Sequence, residues 1–255
     1  MKLKKGIALG LTCLALLGLA GCGSSNTSNS GEYKVGIVQL VEHPALDAAN
    51  KCCTDALKEK GLADKINFDQ QKAQADQSNL NSIAQRFVSD RKNLILAIAT
   101  PAAQTMANAT HDIPILATAV TDYESAKLVK SNAQPGGNVS GTSDMNPVEQ
   151  QVDLILQVMP NVKTIGTIYS SSEVNSQLQV EKMKAYAATK GITVKEVTVS
   201  TVNDIQQAAQ SLVSDGVQAI YVPTDNVVAS AISNLVSVTD AAKIPVFGGE
   251  DNQVK

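Results

Sequence analysis

The 255-residue sequence has no tryptophan, only 3% aromatic residues, two histidines and four cysteines. The core must therefore be aliphatic, and a hydrophobic content of 44% is sufficient to build it. A net charge of -3 provides no basic surface, so we do not expect nucleic acid as a partner. The sequence contains no CxxC pair, no His/Cys cluster, no glycine-rich phosphate loop and no nucleophile elbow. We therefore expect no metal site, no cofactor and no catalytic activity.

Two of the four cysteines are adjacent, at Cys52 and Cys53. Neighbouring cysteines rarely bridge each other because the geometry of the disulfide is strained. We interpret both as core or half-buried helix residues, with a redox role as the alternative.

The first residues have the pattern of an export signal. Residues 1–5 carry three lysines, and residues 6–20 are then apolar or small. The apolar run of roughly 15 residues is short for a transmembrane helix. Leu19-Ala20-Gly21-Cys22 resembles the lipobox of bacterial lipoproteins, which predicts a signal peptide over 1–21 and lipidation of Cys22. The alternative is an ordinary signal peptide with an incidental cysteine. Residues 22–32, rich in Ser, Asn and Gly, are typical of a flexible tether.

Short aliphatic runs alternate with amphipathic helical patterns along the remaining chain. This alternation predicts an α/β protein with parallel sheets. The strands are expected at 34–41, 66–69, 94–98, 113–116, 164–169, 193–199, 219–222 and 244–247. Helices are expected, among others, at 45–60, 102–109, 147–159, where Asp144 or Asn146 is the cap, and 227–241.

The two halves of this pattern match each other. Val35-Gly36-Ile37 parallels Ile165-Gly166-Thr167, and residues 87–90, which read Phe-Val-Ser-Asp, parallel the Leu-Val-Ser-Asp of 212–215. Such an internal repeat predicts two similar Rossmann-like lobes, an N-terminal lobe at 33–135 and a C-terminal lobe at 136–255.

In open α/β sheets, ligands bind outside the carboxyl ends of the strands. Here the residues at those ends are polar or small, and helices begin there, so free backbone N–H groups suit the carboxylate of a small ligand. Asp225 and Glu250 suit an ammonium group, and an amino acid would satisfy both demands. The alternative for each Ser, Thr, Asp or Asn is an ordinary helix cap. Glu42 and Glu250 are poorer caps and favour the ligand role, whereas His43 gives only a weak indication.

Several longer strings resemble one family. They are Val-Gly-Ile-Val-Gln-Leu-Val-Glu-His-Pro-Ala-Leu-Asp (35–47), Leu-Ile-Leu-Ala-Ile-Ala-Thr-Pro-Ala-Ala-Gln (94–104), Thr-Ala-Val-Thr-Asp (118–122), Pro-Gly-Gly-Asn-Val-Ser-Gly (135–141) and Tyr-Val-Pro-Thr-Asp-Asn (221–226). They are similar to the ABC transporter substrate-binding proteins, a family that includes tryptophan/tyrosine-binding lipoproteins. The resemblance implies a periplasmic-binding-protein fold of the Venus-flytrap type, with a ligand clamped between the lobes.

The resemblance also implies a set of ligand contacts. They are Glu42, Thr100, Ala102 and Ala119 in the first lobe, and Ser171, Ser172, Asp225 and Glu250 in the second. The sequence departs from the family where Gly249-Glu250 replaces a common Gly-Asp, and again at Cys52-Cys53. Similar proteins continue past Lys255, so the second lobe is expected to be incomplete at its C-terminus.

The expected function is that of a monomeric, lipid-anchored, extracytoplasmic protein of an ABC importer. It would capture a small solute, an amino acid that can be aromatic, and deliver it to a membrane permease driven by an ATPase. The alternative is a ligand-sensing ectodomain of a signalling receptor or a regulator of the lac-repressor type. A regulator is disfavoured because a signal peptide replaces the helix-turn-helix, and a receptor because no transmembrane run follows residue 20.

Overall fold

The computed structural model describes residues 32–254. The predicted signal peptide, the lipidated Cys22 and the tether up to residue 31 lie outside the described residues. The strands are Tyr33–Gln39 (β1), Ile66–Lys72 (β2), Leu94–Ile98 (β3), Ile115–Val120 (β4), Val139–Ser143 (β5), Thr164–Ser170 (β6), Thr193–Val199 (β7), Ala219–Val222 (β8) and Val246–Gly248 (β9). The α-helices are Pro44–Glu59 (α1), Gln77–Ser89 (α2), Thr100–Ala109 (α3), Val148–Val158 (α4), Val174–Thr189 (α5), Ile205–Ser214 (α6), Asn226–Ser230 (α7) and Ile232–Ala242 (α8).

The strands form two separate parallel sheets. The first has the order β2-β1-β3-β4-β5 and the second the order β7-β6-β8-β9. In both, the first strand of the half lies between the second and the third and pairs with each of them in parallel. The repeated order confirms the predicted α/β fold with two similar lobes.

The boundary between the lobes differs from the prediction. Strand β5 pairs in parallel with β4, with Ile115 opposite Val139, so the first sheet extends beyond the expected end at residue 135. The following helix α4 packs on the core of the second lobe through Val148, Val152 and Ile155. The chain therefore changes lobe between β5 and α4. A short strand made of Val, Ser, Gly and Thr has too little apolar character to stand out in the sequence.

Two helix predictions also need correction. The helix expected at 227–241 is broken into α7 and α8 at Ala231, whose backbone leaves the helical region at φ -135° and ψ 34°. Helix α4 is preceded by Pro147 and has no side-chain cap, so neither Asp144 nor Asn146 has the predicted capping role. The Asn146 side chain instead donates to Thr224 Oγ1 and to the Gly249 carbonyl, both at 2.7 Å.

One close packing contact explains the repeated glycine. A Cβ atom added to Gly36 in β1 would lie 2.6 Å from the Phe87 ring of α2. In the second lobe, a Cβ atom on Gly166 in β6 would lie 3.2 Å from Leu212 of α6. Each lobe thus packs a large apolar side chain of the returning helix on the bare backbone of its central strand.

Candidate functional site

Two alanines at the tips of β3 and β4 have unusual backbone angles. Ala99 has φ 88° and ψ 153°, in a region that is occupied almost only by glycine, and Ala119 has φ 54°. The two strand ends touch, because Ala99 N–H donates to the Thr118 carbonyl at 3.0 Å. Such strain persists only where surrounding structure enforces it, and it concentrates at ligand sites. The predicted contact Ala119 therefore lies in a strained, irregular stretch near the end of β4, beside the start of α3.

The first turn of α3 offers hydrogen-bond donors without partners. Thr100 is buried, and its Oγ1 has no hydrogen-bond partner among residues 32–254. The first backbone N–H groups of a helix also lack intrahelical acceptors, and its N-terminus carries partial positive charge. Ala102, in the same turn, is fully buried and carries only a methyl side chain. The structure thus brings Thr100, Ala102 and Ala119 close together beside the start of α3, and their role in binding a ligand remains a prediction.

Two acids lie near each other where β5 and β9 end. Asp144 follows β5, Glu250 follows β9, and each has one buried carboxylate oxygen with no partner in the described part of the chain. Burial raises the pKa of Asp144, and burial together with the Asp144 charge raises the pKa of Glu250. A cationic group placed between them would lower both pKa values and supply the missing donors. Glu250 was predicted as a ligand contact; Asp144 was predicted only as a helix cap, because nothing in the sequence indicated that β5 ends beside β9.

The predicted contact Asp225 is engaged within the protein. It is buried and caps α7, accepting from Val228 N at 2.9 Å, and its other oxygen accepts from Ser170 N and Ser176 Oγ, both at 2.7 Å. All these bonds are internal, so Asp225 holds the second-lobe loops in place. Only the ordinary preference for Asp at a helix start pointed to this role in the sequence.

A second buried acid, Glu173, lies beside Asp225. Burial and the charge of Asp225 raise the pKa of Glu173 to about 8. Glu173 Oε1 accepts from Asn226 N and Val227 N at 2.9 and 3.0 Å, and Oε2 accepts from the amides of Asn175 and Asn226. Glu173 was not predicted as a site residue, because only tertiary packing brings residues 173 and 225 together.

One buried hydrogen bond joins the two lobes directly. His43, which precedes α1, lies 3.1 Å from Asn226 Oδ1 through its Nε2 atom. Burial lowers the pKa of His43. Next to this bond, Val174 of the second lobe packs against the first-lobe core, and Ala75 contacts the cores of both lobes. The strand tips therefore meet across an interface that contains both polar and apolar contacts.

Three predicted residues lie at the exposed rim. Glu42 forms an ion pair with Lys72, which lowers the pKa of the Glu42 carboxyl. Ser171 and Ser172 are exposed in the turn after β6, and Ser172 Oγ lies 2.9 Å from Ser170 Oγ. A role for these three side chains in binding remains a prediction.

Other features of the described residues do not compete with this site. A surface cavity of about 530 Å³ opens between α2 and α3, but its lining contains none of the predicted ligand residues. Residues 32–254 contain no group of three His, Cys, Asp or Glu side chains that would hold a metal ion. None of the helices in that range has the length and apolar character required to cross a membrane.

Two parallel-sheet lobes whose strand tips face a shared interface with unpaired polar atoms have the architecture of a two-lobed ligand-binding protein. Comparison with protein families matches residues 34–255 to the ABC transporter substrate binding proteins. The chain belongs to this family, whose members bind solutes outside the cytoplasm and are not enzymes. More distant solute-binding proteins share the fold alone.

The chain also resembles individual relatives. It is 45% identical over 248 residues to a tyrosine-binding protein of Clostridioides difficile, covering 92% of this chain and 72% of the relative. A domain from Streptococcus pneumonia solved in complex with L-Trp is 43% identical, with a TM-score of 0.84 and coverage of 88% and 76%. A ligand-free, open substrate-binding protein with adhesive properties from Clostridium difficile is 46% identical, with a TM-score of 0.59 and coverage of 87% and 76%.

These scores indicate how the lobes are arranged. The two solved relatives have nearly equal identity to this chain, yet the tryptophan complex superposes much better than the open form. The lobes of the present structure therefore have an arrangement close to that of the ligand-bound relative. This agrees with the buried contact between His43 and Asn226.

Proposed function

We propose that the protein captures an aromatic amino acid, tryptophan or tyrosine, between its two lobes and delivers it to an ABC permease. The observation that carries the proposal is the set of buried polar atoms without partners at the facing strand tips. Within the described chain these include Thr100 Oγ1 in the first lobe, and Asp144 Oδ1 and Glu250 Oε1 where β5 and β9 end. Leaving such groups unsatisfied costs about 1–3 kcal/mol each, so a ligand that pairs them is favoured.

The two kinds of site match the two charges of an amino acid. The ligand carboxylate binds at the first turn of α3, where Thr100 Oγ1 and free backbone N–H groups donate to it. The ligand ammonium binds between Asp144 and Glu250, where attraction to two carboxylates outweighs their desolvation. The donors to the ligand carboxylate lie on the first lobe, and Glu250, which attracts the ligand ammonium, lies on the second. A bound amino acid therefore favours closure of the lobes, since only the closed form offers both contacts.

The aromatic side chain is supported by the two relatives, one named for tyrosine and one solved with L-Trp. We further propose that the mature chain is a monomer anchored outside the cell by lipid on Cys22, with residues 22–32 as its tether. Delivery would follow docking of the closed protein on a permease energised by an ATPase. Incorporation of radiolabelled palmitate, lost in Cys22→Ser, tests the anchor.

Isothermal titration calorimetry tests the binding proposal. Tryptophan and tyrosine should bind with one site per chain. Tryptamine lacks the carboxylate and indole-3-propionate lacks the ammonium, so each should bind at least about a hundredfold more weakly than tryptophan. Equal binding of all three indoles would contradict the two-ended recognition, and no binding of any amino acid would contradict the proposed function.

A further inference from the structure

The interface between the lobes has unpaired acceptors that neither end of the amino acid uses. Asn175, in the first turn of α5, is 3% exposed, and its Oδ1 has no hydrogen-bond partner within residues 32–254. The orientation of its amide is fixed by contacts to acceptors. Nδ2 donates to the Thr224 carbonyl at 2.9 Å and to Glu173 Oε2 at 3.1 Å, which leaves Oδ1 as the free acceptor.

His43 provides a second acceptor in the same cluster. Asn226 Nδ2 faces Glu173, so Asn226 Oδ1 accepts from His43 Nε2–H. That tautomer leaves His43 Nδ1 as an acceptor, and this atom is also buried without a partner in the part of the chain that the structure describes. Because the amides of Asn175 and Asn226 bind the same oxygen of Glu173, the two free acceptors belong to one cluster.

This cluster lies where the lobes meet. Helix α5 contacts α3 of the first lobe, and Val174, adjacent to Asn175, packs against the first-lobe core. The oxygens of Glu173 and Asp225 in this cluster already accept hydrogen bonds from within the protein. An ammonium group is therefore drawn to the unpaired carboxylate oxygens of Asp144 and Glu250 rather than to neutral acceptors. The neutral acceptors instead suit a neutral donor, such as a phenol O–H or an indole N–H.

We propose that the ligand carries a hydrogen-bond donor on its side chain, accepted by Asn175 Oδ1 with His43 Nδ1 as the second acceptor. This selects tyrosine and tryptophan over phenylalanine and rests on the proposed function. A site that hydrogen-bonds a ligand O–H or N–H rejects an analogue without that group, because its own buried polar atoms then stay unpaired.

Titration of the wild-type protein with tyrosine, tryptophan and phenylalanine is the primary test and needs no variant. Tyrosine and tryptophan should bind at least about tenfold more tightly than phenylalanine. Equal affinities would overturn the inference while leaving the proposed function intact. Absence of binding by all three would overturn both.

Variants then assign the effect to Asn175. Asn175→Ala should lower the tyrosine affinity about tenfold and bring the ratio of the phenylalanine and tyrosine Kd values close to one. Gln179→Ala is the matched control, since Gln179 lies one turn along α5, is equally buried, and has its amide paired with Asn175 O and Thr224. It should leave the ratio unchanged even if both affinities fall. A wild-type ratio in folded Asn175→Ala would overturn the assignment.

Discussion

Asp144 and Glu250, the two neighbouring acids where β5 and β9 end, give a prediction in which stability and ligand affinity change in opposite directions. Without ligand, Glu250 has one buried oxygen that is unpaired within residues 32–254, and the nearby charge of Asp144 disfavours its ionised form. Glu250→Gln keeps the shape and removes this repulsion, so the ligand-free protein should become more stable. With ligand, the same change removes one of the two carboxylates that hold the ammonium.

The magnitude of the affinity loss follows from the geometry. Removing one partner of a buried charged hydrogen bond costs about 2–5 kcal/mol, and the lower part of that range applies because Asp144 remains. We therefore expect a loss of about 2–3 kcal/mol, or about 30- to 150-fold in Kd for tryptophan. Calorimetric titration gives the affinity, and thermal unfolding without ligand gives the stability. Glu149→Gln, an exposed acid on α4, is the control and should change neither appreciably.

A fall in stability together with affinity would show that Glu250 supports the fold rather than the ligand. Wild-type affinity in Glu250→Gln would remove the acid pair from the binding site. Asp144→Asn should reproduce the affinity loss, since both acids face the same group.

Three further predictions concern stability. Ala99→Gly should be neutral or stabilising, because glycine relieves a backbone strain of about 1–3 kcal/mol, whereas Ala103→Gly inside α3 should cost about 0.5–1 kcal/mol. Urea unfolding of both variants measures the difference, and equal losses of stability would contradict the strain. Gly36→Ala should destabilise the fold by about 1–3 kcal/mol, and by more than Gly166→Ala. The added Cβ atom at position 36 would lie closer to the stiff Phe87 ring than the one at position 166 to the flexible Leu212 side chain. A larger loss of stability in Gly166→Ala would be evidence against the packing argument. Glu173 binds its proton more tightly in the folded than in the unfolded protein, because its pKa is raised to about 8 on folding, and this stabilises the fold at low pH. The contribution is lost as pH rises through about 8. The free energy of unfolding should therefore drop by about 1 kcal/mol between pH 7 and 8. Glu173→Gln should flatten that slope, and an unchanged slope would mean that another group titrates.

The fold was largely predictable from the sequence, because each lobe repeats short aliphatic runs and helical stripes of regular length. The match of Gly36 with Gly166 and of Phe87 with Leu212 reports one packing contact formed twice. Strand β5 was missed because Val139–Ser143 is mostly small and exposed, and only pairing with β4 makes it a strand.

The site was predictable only in part, for a physical reason. The strand-tip rule and the family resemblance indicated Thr100, Ala102, Ala119 and Glu250. The structure gives Thr100 and Glu250 an unpaired buried oxygen and Ala119 a strained backbone, and it places Ala102 in the first turn of α3. It also shows Asp225 committed to internal hydrogen bonds. Sequence reasoning missed Asp144, Glu173 and Asn175, since their roles depend on which strand tips meet in three dimensions.

The absence of tryptophan from the chain allows a direct test of whether a solute is enclosed between the lobes. Excited selectively, the indole of added tryptophan reports its own surroundings, with no protein tryptophan contributing. The emission should shift to shorter wavelength and saturate at one ligand per chain, and Glu250→Gln should displace the titration to higher concentration. Tryptophan emission that stays at its value in water in the presence of excess protein would contradict enclosure of this ligand between the lobes.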